Sequence, residues 1–189
     1  MFEVAAGAVL TQSTAWLNAE RAVLNLSNKG VLSPEGILAI PLETLAEIIR
    51  PAGYFNAKAR KLIELAVFFR NLPPDGSQYS TPSRESLLSL WGVGPETADS
   101  ILLFAFGLPS FVVDAYTRRI AGRLGFEHTD SSYDDFKSQI EMNIPRKWTV
   151  YAEFHAVLVE HAKTLCRKKP ICAGCPLGEL CEYRMYEKT

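Results

Sequence analysis

The chain has 189 residues, 20 Lys and Arg against 21 Asp and Glu, and four cysteines. Its 48% hydrophobic and 22% charged content excludes disordered, collagen-like and low-complexity chains, and no apolar run reaches the ~18 residues of a membrane span. A net charge of −1, taken alone, argues against nucleic-acid binding by bulk electrostatics. The opening Met1-Phe2-Glu3-Val4 lacks the basic stretch of a signal peptide. The expected location is therefore cytoplasmic, with no membrane partner.

No segment reads as a strand, and the periodic stretches read as about ten helices. Residues 2–13 are apolar and Ala-rich. Residues 15–28 place Trp16, Ala19, Val23, Leu24 and Leu26 on one broad face. Ser33-Pro34-Glu35 is an N-cap followed by Pro at the first helical position. A helix over 42–50 follows. Then comes one over 57–71, with Asn56 as its cap and Leu62, Ile63, Leu65, Ala66 and Phe69 inward. Pro and Gly mark a loop from 71 to about 82. Helices are expected over 84–91, 95–107, 115–124, 133–143 and 148–165. The chain is all-α. A break at Gly107-Leu108-Pro109 separates an expected helical domain over 1–109 from a second over 110–189.

Two places carry chemistry. Leu90-Trp91-Gly92-Val93-Gly94-Pro95-Glu96-Thr97-Ala98 joins two helices. Gly92 and Gly94 permit positive φ, and the turn can leave N–H groups open to one phosphate. A tight turn without a ligand is the plainer reading. Cys166, Cys172, Cys175 and Cys181 are the only cysteines, spaced C-x5-C-x2-C-x5-C within the last quarter. Thiolates that close suit a metal centre better than a disulfide framework. One C-x-x-C knuckle with two outlying cysteines favours an iron–sulfur cluster over zinc, which stays as the alternative.

Together these residues resemble the helix–hairpin–helix DNA glycosylases of the endonuclease III superfamily. L-x-G-V-G-x-x-T-A at Leu90–Ala98 resembles their hairpin, and Val113-Asp114 with Arg119 resembles their V-D-x-x-x-x-R segment. The cysteine loop resembles their C-terminal 4Fe–4S loop, although the first gap is one residue shorter than the usual C-x6-C-x2-C-x5-C. Ala8-Val9-Leu10-Thr11-Gln12-Ser13-Thr14 resembles the segment with a DNA-wedging Gln, and Gly53-Tyr54-Phe55-Asn56-Ala57-Lys58-Ala59 the G-x-x-N-x-K-A turn. The chain starts later than the family pattern does. The resemblance implies a two-lobed fold: a helical barrel lobe with the hairpin motif at about 84–107, and an iron–sulfur lobe.

It also implies roles. Asp114 would be catalytic, although as a plain sequence feature it N-caps the helix 115–124. Gln12 would fill the gap in the base stack. Gly92, Val93 and Gly94 would hold a phosphate, with Arg118, Lys168 and Lys169 adding DNA contacts. Lys163 and Arg167 extend that basic run, and Arg119 and Arg123 add charge after Asp114. Members with lyase activity carry a nucleophilic Lys where this chain has Glu96, and a carboxylate cannot form a Schiff base. Glu96 resembles the alkylpurine-glycosylase branch. It would lie beside a base pocket with Tyr116 and Trp16, where a carboxylate and aromatic faces suit a cationic base; as plain sequence features, Trp16, Trp91 and Tyr116 read as core. His128, His155 and His161 read as structural.

The expected function is a monofunctional DNA repair glycosylase for alkylated purines. Its partner is double-stranded DNA containing a damaged or abasic site, bound by a monomer in the cytoplasm, at the nucleoid. The alternatives are an endonuclease III-like bifunctional glycosylase and AP lyase for oxidised pyrimidines or mismatched bases, and a non-catalytic helix–hairpin–helix DNA-binding protein.

Overall fold

A computed structural model describes residues 1–73 and 81–186, and every regular element among them is helical. Part of the expected 71–82 loop, residues 74–80, lies outside the described residues. The chain divides into two compact units, Met1–Leu108 and Pro109–Thr189. No helix among the described residues is long and apolar enough to cross a membrane.

The N-terminal unit contains α1 (Phe2–Leu10), α2 (Trp16–Asn28), α3 (Pro34–Leu38), α4 (Leu42–Ile48), a 3-10 turn (Arg50–Ala52), α5 (Phe55–Arg70), α6 (Arg84–Leu88) and α7 (Pro95–Ser100). The helix α5 is central and packs on α1, α3 and α4. Its buried Ala59, Leu62, Leu65 and Ala66 recur at three- and four-residue steps, which puts them on one face. Phe2, Ala5, Ala6 and Val9 do the same on α1. Each large aliphatic side chain so buried stabilises the unit by about 1.5–3 kcal/mol. Aromatic contacts continue the core: Phe69 meets Phe2 edge-on at 5.4 Å and Phe106 at 5.6 Å between ring centres.

Several expectations need correction. On α2 the buried residues are Ala19, Ala22 and Leu26, whereas Trp16 and Leu24 are exposed. Leu24 stands two residues from Ala22 and from Leu26, so the helical period turns it to the opposite face. Asn56 does not cap α5. Gly53 (φ +67°) and Tyr54 (φ +46°) turn the chain so sharply that the helix begins at Phe55, and Lys58 N–H already donates to the Tyr54 carbonyl at 3.0 Å. The first helix stops at Leu10, so Gln12 stands beyond its end. The expected helix over 95–107 is α-helical only to Ser100. It then widens into a π turn over Ile101–Ala105, closed by Leu108 N–H donating to Leu102 O at 2.9 Å.

The C-terminal unit contains α8 (Ala115–Leu124), α9 (Tyr133–Asn143), α10 (Trp148–Thr164) and a short α11 (Glu182–Tyr186). The last was not expected, because five residues after a cysteine carry no readable period. The helix α8 packs on α10 and α11. It ends at Gly125, whose left-handed backbone (φ +90°) terminates it. A side chain at Gly125 would strike the Glu182 carboxylate, 2.1 Å from the built Cβ, so the position also lets α11 approach.

Candidate functional site

The hairpin is set by α6 and α7. Ser83 caps α6 by accepting from Ser86 N–H at 3.1 Å. Arg84 on α6 makes a two-pronged ion pair with Asp99 on α7, Nε to Oδ1 at 2.9 Å and Nη2 to Oδ2 at 3.2 Å. The Asp99 side chain is fully buried, so the pair fixes the two helices in the low-dielectric interior. Between them Gly92 takes φ +80°. Gly94 does not: at φ −91° and ψ 177° it is extended backbone open to any residue, so the turn uses the positive φ that both glycines permit at Gly92 alone. Nothing lies within 4 Å of a Cβ at Gly94, and no side chain caps α7. Val93 is buried and anchors the turn. Trp91 and Glu96 are exposed on either side of it. Trp16 is exposed too; both tryptophans lie outside the core that their helical spacing suggested.

Gln12 belongs to this hairpin in space. Its Nε2 donates to Gly92 O at 3.2 Å and to Thr97 Oγ1 at 2.8 Å, across 80 and 85 residues of sequence. Its Oε1 accepts from Lys61 Nζ at 2.5 Å.

In the C-terminal unit, Asp114 closes a buried segment, Ser110 to Val113, that is braced by α9. Phe111 N–H donates to Glu141 Oε1 at 2.7 Å, Val113 N–H to the Tyr133 hydroxyl at 3.2 Å, and Lys137 Nζ to Ser110 Oγ at 2.7 Å. Asp114 Oδ1 accepts from Thr117 N–H at 2.7 Å and Thr117 Oγ1–H at 2.8 Å, so the residue does N-cap α8. Its second oxygen, Oδ2, lies 3.7 Å from His155 Nε2. His155 is largely buried; that burial pushes its pKa below the ordinary value, and the Asp114 charge opposes the shift. His155 read as purely structural in the sequence. It carries no motif, and a distance of forty-one residues hides the pairing.

The three arginines after Asp114 are struts. Arg118 donates through Nη1 to Thr129 O and stands over the Phe136 ring at 5.1 Å. Arg119 donates to Cys166 O at 3.0 Å and covers the half-buried Tyr116 ring at 5.0 Å. Arg123 donates to Cys166 Sγ at 3.1 Å, Arg167 O at 2.7 Å and Lys168 O at 2.9 Å. Lys168 and Lys169 remain exposed.

All four cysteines line one concavity open to solvent, with Ile120, Leu124, Leu165 and Leu177 among its walls. None is in a disulfide. His161 Nε2 lies 3.8 Å from Cys175 Sγ. Among the described residues no three His, Cys, Asp or Glu side chains are grouped to hold one metal ion. Four thiols around a common apolar hollow, with a guanidinium N–H aimed at one sulfur, make a donor set of the kind that iron–sulfur clusters and zinc both use.

The sequence pattern of the HhH-GPD superfamily of base excision DNA repair proteins matches residues 6–146. The chain belongs to that superfamily. A Methanocaldococcus jannaschii protein provisionally named a DNA repair glycosylase is 43% identical over 186 residues, covering 95% of this chain and 84% of its own. Endonuclease III of Rickettsia conorii is 33% identical, over 85% of this chain and 76% of its own. Among solved structures, endonuclease III trapped covalently on DNA superposes with a TM-score of 0.84 at 28% identity, over 100% of this chain and 86% of that one. The Helicobacter pylori 3-methyladenine DNA glycosylase bound to 1,N6-ethenoadenine gives 0.75 at 31% identity, over 86% and 84%. The all-helical fold is that of the endonuclease III glycosylases, and the chain is a DNA repair glycosylase of this family.

Proposed function

We infer that the protein is a monofunctional glycosylase that hydrolyses the N-glycosidic bond of an alkylated purine turned out of duplex DNA. The observation that carries the reading is Asp114. One of its oxygens is fixed by Thr117, and its side chain is mostly enclosed. Cleavage of the C1′–N bond leaves the electron pair on the base and oxocarbenium character on the sugar. A fixed carboxylate stabilises that charge, and it accepts the proton of the water that adds to C1′. A purine that is cationic through alkylation leaves neutral and needs no proton donor. Above the lowered pKa of His155 the imidazole is neutral, so no imidazolium 3.7 Å away offsets the field of the carboxylate at the sugar.

The N-terminal unit would supply the duplex contacts: Gly92, Val93 and Gly94 at a phosphate, which positions without reading sequence, and Gln12 in the vacated stack. Glu96, exposed in the first turn of α7, would favour a cationic base through its carboxylate, with Trp16 and Tyr116 as aromatic surfaces. Lys168 and Lys169 would meet backbone phosphates; Arg118 would act mainly as a strut. Cys166, Cys172, Cys175 and Cys181 would hold a 4Fe–4S cluster, whose contribution is to pin the loop that carries those lysines. The protein would act as a monomer.

A panel of duplexes, each with one lesion, tests this reading, with and without alkaline cleavage of the abasic product. Release of 3-methyladenine or 7-methylguanine, with strand breaks only after alkali, is the expected outcome. Release of oxidised pyrimidines alone, or breaks without alkali, would transfer the case to the bifunctional reading.

A further inference from the structure

The glycosylase reading gives Gln12 a task but does not say what aims it. Three observations in the N-terminal unit meet at Lys61. Its stem lies flat on Gly92: a Cβ built there would sit 2.4 Å from Lys61 Cε and 2.8 Å from its Cδ and Cγ. Its ammonium donates to Gln12 Oε1 at 2.5 Å. The amide nitrogen of the same glutamine donates to Gly92 O and Thr97 Oγ1. Both ends of the Gln12 amide are therefore held, the oxygen from α5 and the nitrogen from the hairpin.

The main chain is held as well. One turn before Lys61, the buried Lys58 donates to Leu10 O at 2.9 Å and Ala52 O at 2.8 Å. That fixes the backbone two residues before Gln12, at the point where α1 ends. Burial, with the Lys61 charge second, pushes the Lys58 pKa down to about 8. Gly92 thus serves twice, since it takes positive φ and seats the Lys61 stem.

We propose that Lys61 is a positioning residue for base extrusion: it locks the Gln12 amide onto the hairpin, so the stack-filling side chain and the phosphate grip meet the duplex as one rigid piece. The inference rests on the glycosylase reading of Gln12. A glutamine ordered before encounter has less rotamer freedom to lose on entering the stack. A lysine whose role was to meet a phosphate would present its ammonium to solvent; this one is half-buried and already spent on a carbonyl oxygen.

The test compares full-length wild type with Lys61→Met, Lys61→Arg, Gln12→Ala and the Lys61→Met/Gln12→Ala pair. Methionine keeps the apolar stem and removes the donor. Three quantities are read: single-turnover release of 7-methylguanine, the fluorescence rise of 2-aminopurine beside a tetrahydrofuran abasic analogue, and duplex Kd at two salt concentrations. Lys61→Met should lower release and the fluorescence rise by about tenfold, the scale of one charged hydrogen bond, with Kd within about twofold. Lys61→Arg should restore most of both, and the double variant should be no worse than Gln12→Ala alone. Additive losses in the double variant would overturn the proposal. So would a salt slope reduced by about one charge in Lys61→Met, which marks a phosphate contact. An unchanged fluorescence rise would overturn it too. Should Lys61→Met lower the melting temperature, Lys61→Gln takes its place. If wild type releases no damaged base, the glycosylase reading fails, while the fluorescence arm still decides the role of Lys61.

Discussion

The two units are stabilised by different means. The N-terminal unit buries a continuous apolar core that runs from Phe2 to Leu102. The C-terminal unit buries fewer large apolar side chains, chiefly Phe111, Val112, Val113, Ile120, Phe136 and Tyr151. Its cysteine segment is held instead by Arg119 and Arg123 on main-chain carbonyls, around a hollow lined by four thiols. A core built on apolar area spreads its stability over many contacts. A loop held by a few directed bonds depends on each of them. This difference predicts which half fails first and how.

The largest effect should follow from removing one thiol. Cys172→Ser should leave the C-terminal unit open to protease while a fragment near Met1–Leu108 persists. It should also abolish any brown colour with broad absorption near about 400 nm. A colourless wild type, or a variant as resistant as wild type, would break the contrast between the units. Next comes the hairpin. Arg84→Met removes the guanidinium that pairs with the fully buried Asp99 carboxylate and should cost about 3–5 kcal/mol in denaturant unfolding of the N-terminal unit. Arg84→Met with Asp99→Leu should recover most of that, because the buried carboxylate between the two helices is then gone as well.

The smallest effect is in pH. His155 has a folded pKa below its unfolded value of 6.5, so between the two the unfolded chain binds more protons. Stability of the C-terminal unit should be full above pH 6.5 and fall as pH drops through that window. Base release should fall at lower pH still, as pH passes the lowered pKa of His155 and an imidazolium forms 3.7 Å from Asp114 in the folded protein. Pre-steady-state rates from pH 5 to 8 check this; in His155→Gln the acid limb should move or vanish.

Much of this was readable in the sequence, and for local reasons. Ser33 accepts from Gly36 N–H at 3.0 Å, as Ser-Pro-Glu indicates. Asp114 caps α8 through contacts three residues away, and the cap itself holds the carboxylate still. Short-range geometry leaves a pattern in the chain. Long-range pairing of polar side chains does not. Nothing in the sequence links Arg84 to Asp99, Gln12 to Thr97, or His155 to Asp114, because each pair is joined only by folding. The same gap explains the arginines. A basic run after Asp114 reads as a DNA-facing patch, and nothing in it reveals that Arg118, Arg119 and Arg123 also hold main-chain carbonyls. Trp16 and Trp91 show the reverse: helical spacing suggests core, yet both are more than half exposed.

The central claim is that a fixed carboxylate at Asp114 performs the chemistry. It is tested most directly by Asp114→Asn, assayed in single-turnover release of a methylated purine alongside duplex Kd and melting temperature. Asparagine keeps a side-chain oxygen to accept from Thr117 and removes only the charge. The account predicts base release reduced by about a thousandfold or more, on the scale of losing a preorganised electrostatic contact, with Kd within about threefold and the helix cap preserved. Turnover close to wild type in a folded, DNA-binding Asp114→Asn protein would contradict it.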